Sequence, residues 1–263
     1  MEDIPNPSLG ILTFAVFTII YSLSRYYYTS YETRGDDNSK MIMNDNIILV
    51  AYVLLIGISQ YISNLTISTY LCGNPQYGVV FYSSIIPFIC IFGILIVLLS
   101  VNESWYAPFE NTFGYGILLF TGLTSFFKKI LINNNNDSSE ADKTISNIMN
   151  DKSMIINEIS SKNSDIFFEK MKDIINKEIH IESCKVELWQ YARIKEITSQ
   201  TVWFMLTGLL MTTISYNFII NKGCKLTVKQ LNYKEREEAK NNREVNPLNE
   251  NRDLREGEFQ IYR

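Results

Sequence analysis

Residues 79–101 read VVFYSSIIPFICIFGILIVLLSV, twenty-three positions without one Asp, Glu, Lys, Arg or His. As a helix rising about 1.5 Å per residue, this run is about 34 Å long. That is enough to cross a hydrocarbon layer about 30 Å thick with some tilt, whereas buried helices of soluble cores rarely stay apolar beyond about 14 residues. Pro87 lacks an N–H and crowds the preceding turn, so a kink is expected there, with the freed carbonyl re-satisfied by neighbouring helices.

Working outward, three more runs share this character. Residues 9–24 (LGILTFAVFTIIYSLS) are followed by Arg25 and by Tyr26, Tyr27 and Tyr28; residues 47–62 read IILVAYVLLIGISQYI; residues 202–220 close the series. None contains an ionisable Asp, Glu, Lys, Arg or His, which disfavours proton-coupled transport. The leader before the first run is acidic (Glu2, Asp3) and no A-x-A site follows, so this run is expected to be a retained anchor with Arg25 at its cytosolic end. The 65–78 loop has no Lys or Arg, whereas Arg25, Arg34 and Lys40 precede the second run. The charge rule then puts the N-terminus outside, the first loop inside and the Cys72 loop outside.

The fold expected is all-α: a multi-pass helical membrane protein with a small helical soluble insert. Its regions are an N-terminal membrane part (1–131), a polar helical insert (132–200), the last transmembrane helix (201–221) and a charged tail (222–263). Within the insert, 133–139 reads as an exposed linker. Ile155, Ile156, Ile159, Phe167, Met171, Ile174 and Ile175 recur at near-helical spacing, with Ser164 or Asp165 as a cap for a helix starting near Ile166. From Cys184 a helix can run through Trp189 and Tyr191 into the last span, with those aromatics near the interface.

The net charge is −4 and the pI about 5.2, which speaks against a free nucleic-acid binder; four Cys in 263 residues exclude a secreted disulfide scaffold. The mean hydropathy of −0.01 reflects a charged second half diluting an apolar first half. No catalytic set emerges: His180 is the sole histidine and sits among charges, reading as a surface residue, and no phosphate loop, H-E-x-x-H or C-x-x-C is present. Neither an enzymatic activity nor a cofactor nor a metal is expected. Counts of 36 Ile and 25 Asn against 6 Ala point to an AT-rich genome.

The sharpest short match is Thr112, Phe113, Gly114, Tyr115 and Gly116, which is similar to the T-V-G-Y-G filter of potassium channels. A filter needs a preceding pore helix, and here only residues 102–111, interrupted by Pro108, are available. The competing reading is an aromatic interfacial turn built on Trp105, Tyr106, Phe109, Phe113 and Tyr115, in which Asn111 bonds backbone freed by the turn. On the last span Thr212, Thr213, Ser215 and Asn217 suit interhelical hydrogen bonds. Cys90 reads as buried in the third span and, with Cys184, as a free thiol.

The segment 113–127 (FGYGILLFTGLTSFF) admits two topologies. As a full span it puts Cys72 and Cys224 on opposite faces; as a re-entrant element it puts them on the same face, where a disulfide can form. Its shortness and its glycines Gly114, Gly116 and Gly122, each costing about 1 kcal/mol in a helix relative to Ala, favour re-entry. Lys222, Lys225 and Lys229 pull the tail toward the cytosol and against the bond, while eleven basic residues in 128–200 pull the other way.

Several stretches resemble a conserved membrane-protein family of giant nucleocytoplasmic DNA viruses of algae and amoebae. They are Ile86-Pro87-Phe88-Ile89, then Trp105, then Pro108-Phe109 with Asn111-Thr112-Phe113-Gly114-Tyr115, and finally Ser215-Tyr216-Asn217 followed by Gly223-Cys224; Cys72-Gly73 also looks like a family position. The resemblance covers roughly residues 71–224. It implies no enzyme, but a structural, virion-embedded protein of the internal membrane in contact with capsid or other minor capsid proteins. The partners implied are the lipid bilayer and those proteins, with no nucleic acid, and self-association or hetero-association left open. It also implies a virus-encoded thiol oxidase, which suits a disulfide in a particle assembled in the cytosol. Gly116, where relatives carry a larger apolar residue, is a departure. The alternatives are a virus-encoded cation channel using residues 112–116 and a membrane-remodelling assembly factor.

Overall fold

The computed structural model describes residues 8–28, 38–131, 146–171, 175, 180–222 and 224. Its helices include α1 (Ser8–Tyr28), α2 (Asn38–Cys72), α3 (Tyr77–Pro87), α4 (Ile94–Val101), α5 (Ala107–Phe109), α6 (Tyr115–Thr121), α7 (Leu123–Ile130), α8 (Ser153–Ile156), α9 (Ser164–Lys170) and α10 (Ile181–Lys222). No strand is formed among the described residues; one isolated bridge joins Leu131 and Ile175. The protein is all-α, and four segments are long and apolar enough to cross a membrane: Ser8–Tyr28, Asn44–Cys72, Tyr77–Val101 and Ile181–Asn221.

Pro87 does not break the third of these. The chain passes from α3 through a π-helical stretch, Phe88–Gly93, into α4. The Ser83 carbonyl, which proline's missing N–H leaves free, accepts the Ser215 hydroxyl of α10 instead (2.8 Å), so the segment stays one span. The second helix extends ten residues beyond the apolar run at 47–62, to Cys72, so the expected 65–78 loop shrinks to the turn after it. Gly73, at φ +67°, ends the helix in the left-handed conformation that glycine adopts without steric cost.

Cross-helix contacts fix the directions. Gln60 Nε2 donates to the Gly10 carbonyl (2.9 Å), Thr18 and Tyr52 share a hydroxyl bond (2.8 Å), and Arg25 meets Asp45, so α1 and α2 are antiparallel. Thr212 packs at Gly10, and Ser22 bonds Thr201 (2.6 Å), so α10 is also antiparallel to α1. Hence α2 and α10 run the same way. The core of this bundle is aromatic: Tyr21 stacks on Tyr52 at 4.3 Å, Tyr52 on Phe204 at 5.5 Å, and Phe92 meets Phe204 at 5.1 Å.

A second core forms outside the bundle. On α7, Leu123, Phe126, Phe127 and Ile130 are buried at i, i+3, i+4 and i+7, the stripe of an amphipathic helix, while Lys128 and Lys129 are exposed. They pack with Ile156, Ile159, Phe168, Met171, Ile175, Cys184 and Leu188. The expected boundary at residue 132 is therefore misplaced: 123–130 belong to the insert rather than to the membrane part. The boundary at 200 falls inside α10, whose 42 residues, about 63 Å, are twice what a bilayer needs and serve both bodies. The helix expected near Ile166 starts at Ser164 after Asn163, and neither Ser164 nor Asp165 caps it: its N-cap makes no side-chain cap bond. The 133–139 linker, Ile174 and the tail after Cys224 lie outside the described residues.

Candidate functional site at the bundle–insert junction

Residues 193–203 of α10 meet α1, the start of α2, the turn near Tyr106 and the insert, and charge does much of the work. The carboxylate of Asp45, at the start of the second span, accepts from Arg25 (2.7 Å) and from Arg193 on the same oxygen, Oδ2. Arg25 also donates to the Gln200 side-chain carbonyl, which accepts the Tyr21 hydroxyl at 3.1 Å. The Arg193 side chain is 6% exposed, and Arg25, read from sequence as an interfacial anchor, is 12% exposed and turned inward. Such charges persist away from water only when paired, so the three chain segments are held in one arrangement.

One turn along, the same helix grips the insert. Glu196 accepts the Ser161 backbone N–H (2.7 Å) and hydroxyl (2.8 Å). Lys195, fully buried, donates to the Ile156 carbonyl (2.8 Å) and lies 3.8 Å from Glu110. Burial, opposed by Lys195 and assisted by Glu196 and Glu103, pushes the Glu110 carboxyl up to about 7. Gly114 makes this approach possible: a Cβ there would lie 2.7 Å from Lys195 Cγ and 3.1 Å from its carbonyl.

The motif residues lie beside this junction. Pro108 and Phe109 belong to α5, and Phe109 meets Trp203 edge-on at 4.8 Å; Trp203 Nε1 donates to the Trp105 carbonyl (2.7 Å) and Ser199 to that of Tyr106 (2.7 Å). These two side chains, rather than the exposed Asn111, take up carbonyls of the turn. The α10 aromatic in this belt is Trp203; Trp189 and Tyr191, expected near the interface, are buried, Tyr191 within the core of the insert. Thr112, Phe113 and Gly114 fall in a π-helical stretch, Glu110–Gly114, and Tyr115 and Gly116 begin α6. Thr112 donates to the Pro108 carbonyl at 2.6 Å, and Gly114 and Tyr115 have helical dihedrals. A filter lines its pore with backbone carbonyls released from helical bonding, and residues 112–116 hold theirs in helical geometry instead. The segment does not span either: Gly122, at φ +105°, separates α6 from α7.

At the opposite end of the bundle, Cys72 and Cys224 form a disulfide with a Cα separation of 5.3 Å, as the parallel course of α2 and α10 allows. Of the four residues Thr212, Thr213, Ser215 and Asn217, two reach across: Ser215 donates to the Ser83 carbonyl (2.8 Å) and accepts from Asn64 (2.7 Å), and Thr212 donates to Gln60 (3.3 Å). Thr213 bonds back to Leu209 in its own helix, Tyr216 is half-buried and Asn217 is exposed. Cys90 is exposed on the outer surface of its span rather than buried, and Cys184 is a buried thiol of the insert core. His180 is exposed. Among the described residues, no group of three His, Cys, Asp or Glu is arranged to hold a metal.

No family model, curated protein or solved structure matches this chain. Sequence reasoning missed Asp45, Arg193, Lys195, Glu196 and Gln200. A signal was present: Arg193, Glu196 and Gln200 share a helix face at i, i+3 and i+7, and Arg25 and Asp45 sit just outside apolar runs at matching depth.

Proposed function

We propose that the chain is a structural protein of a giant-virus particle, set in its internal membrane and offering its helical insert to capsid proteins. The observation that carries this reading is the passage of α10 without interruption through both the bundle and the insert, locked at their junction by Asp45, Arg193 and Glu196. A junction so cross-linked suits a mechanical tie between a bilayer and a protein layer. The insert lies on the side of the first loop, which Arg34 and Lys40 assign to the cytosol, where capsid proteins assemble. The motif resemblance and the AT-rich composition support the viral setting.

Mass spectrometry of purified, protease-treated particles of the encoding virus tests this. Abundance comparable to that of minor capsid proteins is expected, together with cross-links from insert lysines such as Lys162 to capsid chains. Absence from particles overturns the proposal; presence confined to assembly membranes replaces it with a membrane-remodelling factor.

A further inference from the structure

Past the junction, one apolar surface is not accounted for by the four spans. Phe113, Ile117 and Phe120 recur four and three residues apart and are 57%, 42% and 92% exposed. The adjoining face of the same turns, Gly114 and Leu118, is buried against Lys195 of α10 and the insert core. An exposed aromatic ridge backed by a packed face marks a surface with a partner.

Continuity and charge identify that partner as lipid. The ridge follows directly from the third span, through Val101 (80% exposed) and Trp105. It begins at Phe109, which rests on Trp203 of the last span, so it starts at the aromatic level where hydrocarbon gives way to headgroups. Between Glu110 and Lys128 there is no charged residue, and then Lys128 and Lys129 follow, both exposed, where anionic headgroups would meet them.

We propose that residues 113–120 lie within the leaflet on the insert's side of the membrane, with Phe113, Ile117 and Phe120 against acyl chains. The segment enters, turns at Gly122 and leaves on the same side, so it adds apolar volume to one leaflet only and fixes how close the insert rides to the bilayer. This inference is independent of which particle the membrane belongs to.

An environment-sensitive fluorophore on Phe120→Cys, in a Cys90→Ser background, tests it in full-length protein reconstituted into phosphatidylcholine–phosphatidylserine vesicles. The expected result is blue-shifted emission, quenched more strongly by nitroxides high on the acyl chain than by nitroxides near its end, as for an element lying at the headgroup boundary. Met154→Cys on the exposed insert surface provides the water-like reference, and Ile117→Cys repeats the measurement if Phe120→Cys does not fold. Water-like emission without quenching overturns the proposal. So does blue-shifted emission that no lipid nitroxide quenches, because the ridge is then covered by protein, such as a second copy of the chain.

Discussion

The Phe14 ring of α1 occupies the place where a side chain of Gly208 on α10 would stand: a Cβ there would sit 2.0 Å from the ring. Phe14 is 2% exposed and held edge-on by Phe92 at 5.7 Å, so it has little room to retreat. Lipid gives apolar helices no hydrophobic reason to associate, and close packing at small residues supplies the attraction instead.

Gly208→Ala is therefore expected to destabilise the bundle by about 1–3 kcal/mol, the usual cost of overpacking. Unfolding of the purified protein in mixed micelles measures it. Adding Phe14→Leu should recover part of the loss; strictly additive effects of the two changes would contradict the contact.

Asp45→Ala removes the carboxylate that two arginines share and leaves both in a poorly solvated site. A loss of about 3–5 kcal/mol is expected, as for other buried pairs broken on one side. Limited proteolysis should then cut between the bundle and the insert. Unchanged protection of the junction would show that Arg25 and Arg193 are adequately held by their other partners.

The raised carboxyl of Glu110 makes stability depend on pH. Its folded value of about 7 exceeds the ordinary 4.5, so the folded state holds the proton more tightly. Between about pH 4.5 and 7 the folded state binds more protons than the unfolded one, and stability falls as pH rises, by up to about 3 kcal/mol across the window. Thermal unfolding in detergent at pH 5 and pH 7.5 reads this directly. Glu110→Gln should flatten the profile; a wild-type profile already flat would contradict the assignment.

The Cys72–Cys224 bond closes a loop across 152 positions of sequence. Chain entropy alone gives about 5 kcal/mol for such a loop in water. Helices that stay inserted when the bundle opens are already confined, so the gain in a membrane is smaller. Cys224→Ser should lower the melting temperature, and reduction of the wild type should reproduce the change. Ready alkylation of Cys72 in unreduced protein would show the bond absent.

The class of fold was legible in residues 79–101, because a run that long without a charge is stable as a helix only in hydrocarbon. So were the continuity of the last helix and the two topologies left by a short, glycine-rich segment. The insert was half legible: its isoleucine and phenylalanine spacing marked helices, but 123–130 looked like membrane sequence because Leu123, Phe126, Phe127 and Ile130 are equally apolar whether they face lipid or a protein core.

By itself, the sequence determined which segments are long and apolar enough to cross a bilayer and that the insert is helical, since both follow from local apolar content and period. Only the tertiary structure decided the rest. It turned Arg25 inward to Asp45, made Thr112 to Gly116 helical with Gly114 against Lys195, and brought Cys72 beside Cys224. Each depends on which helix neighbours which, and in what direction. Residues 20, 148 or 152 positions apart in sequence meet at these sites, and no local pattern encodes such a meeting.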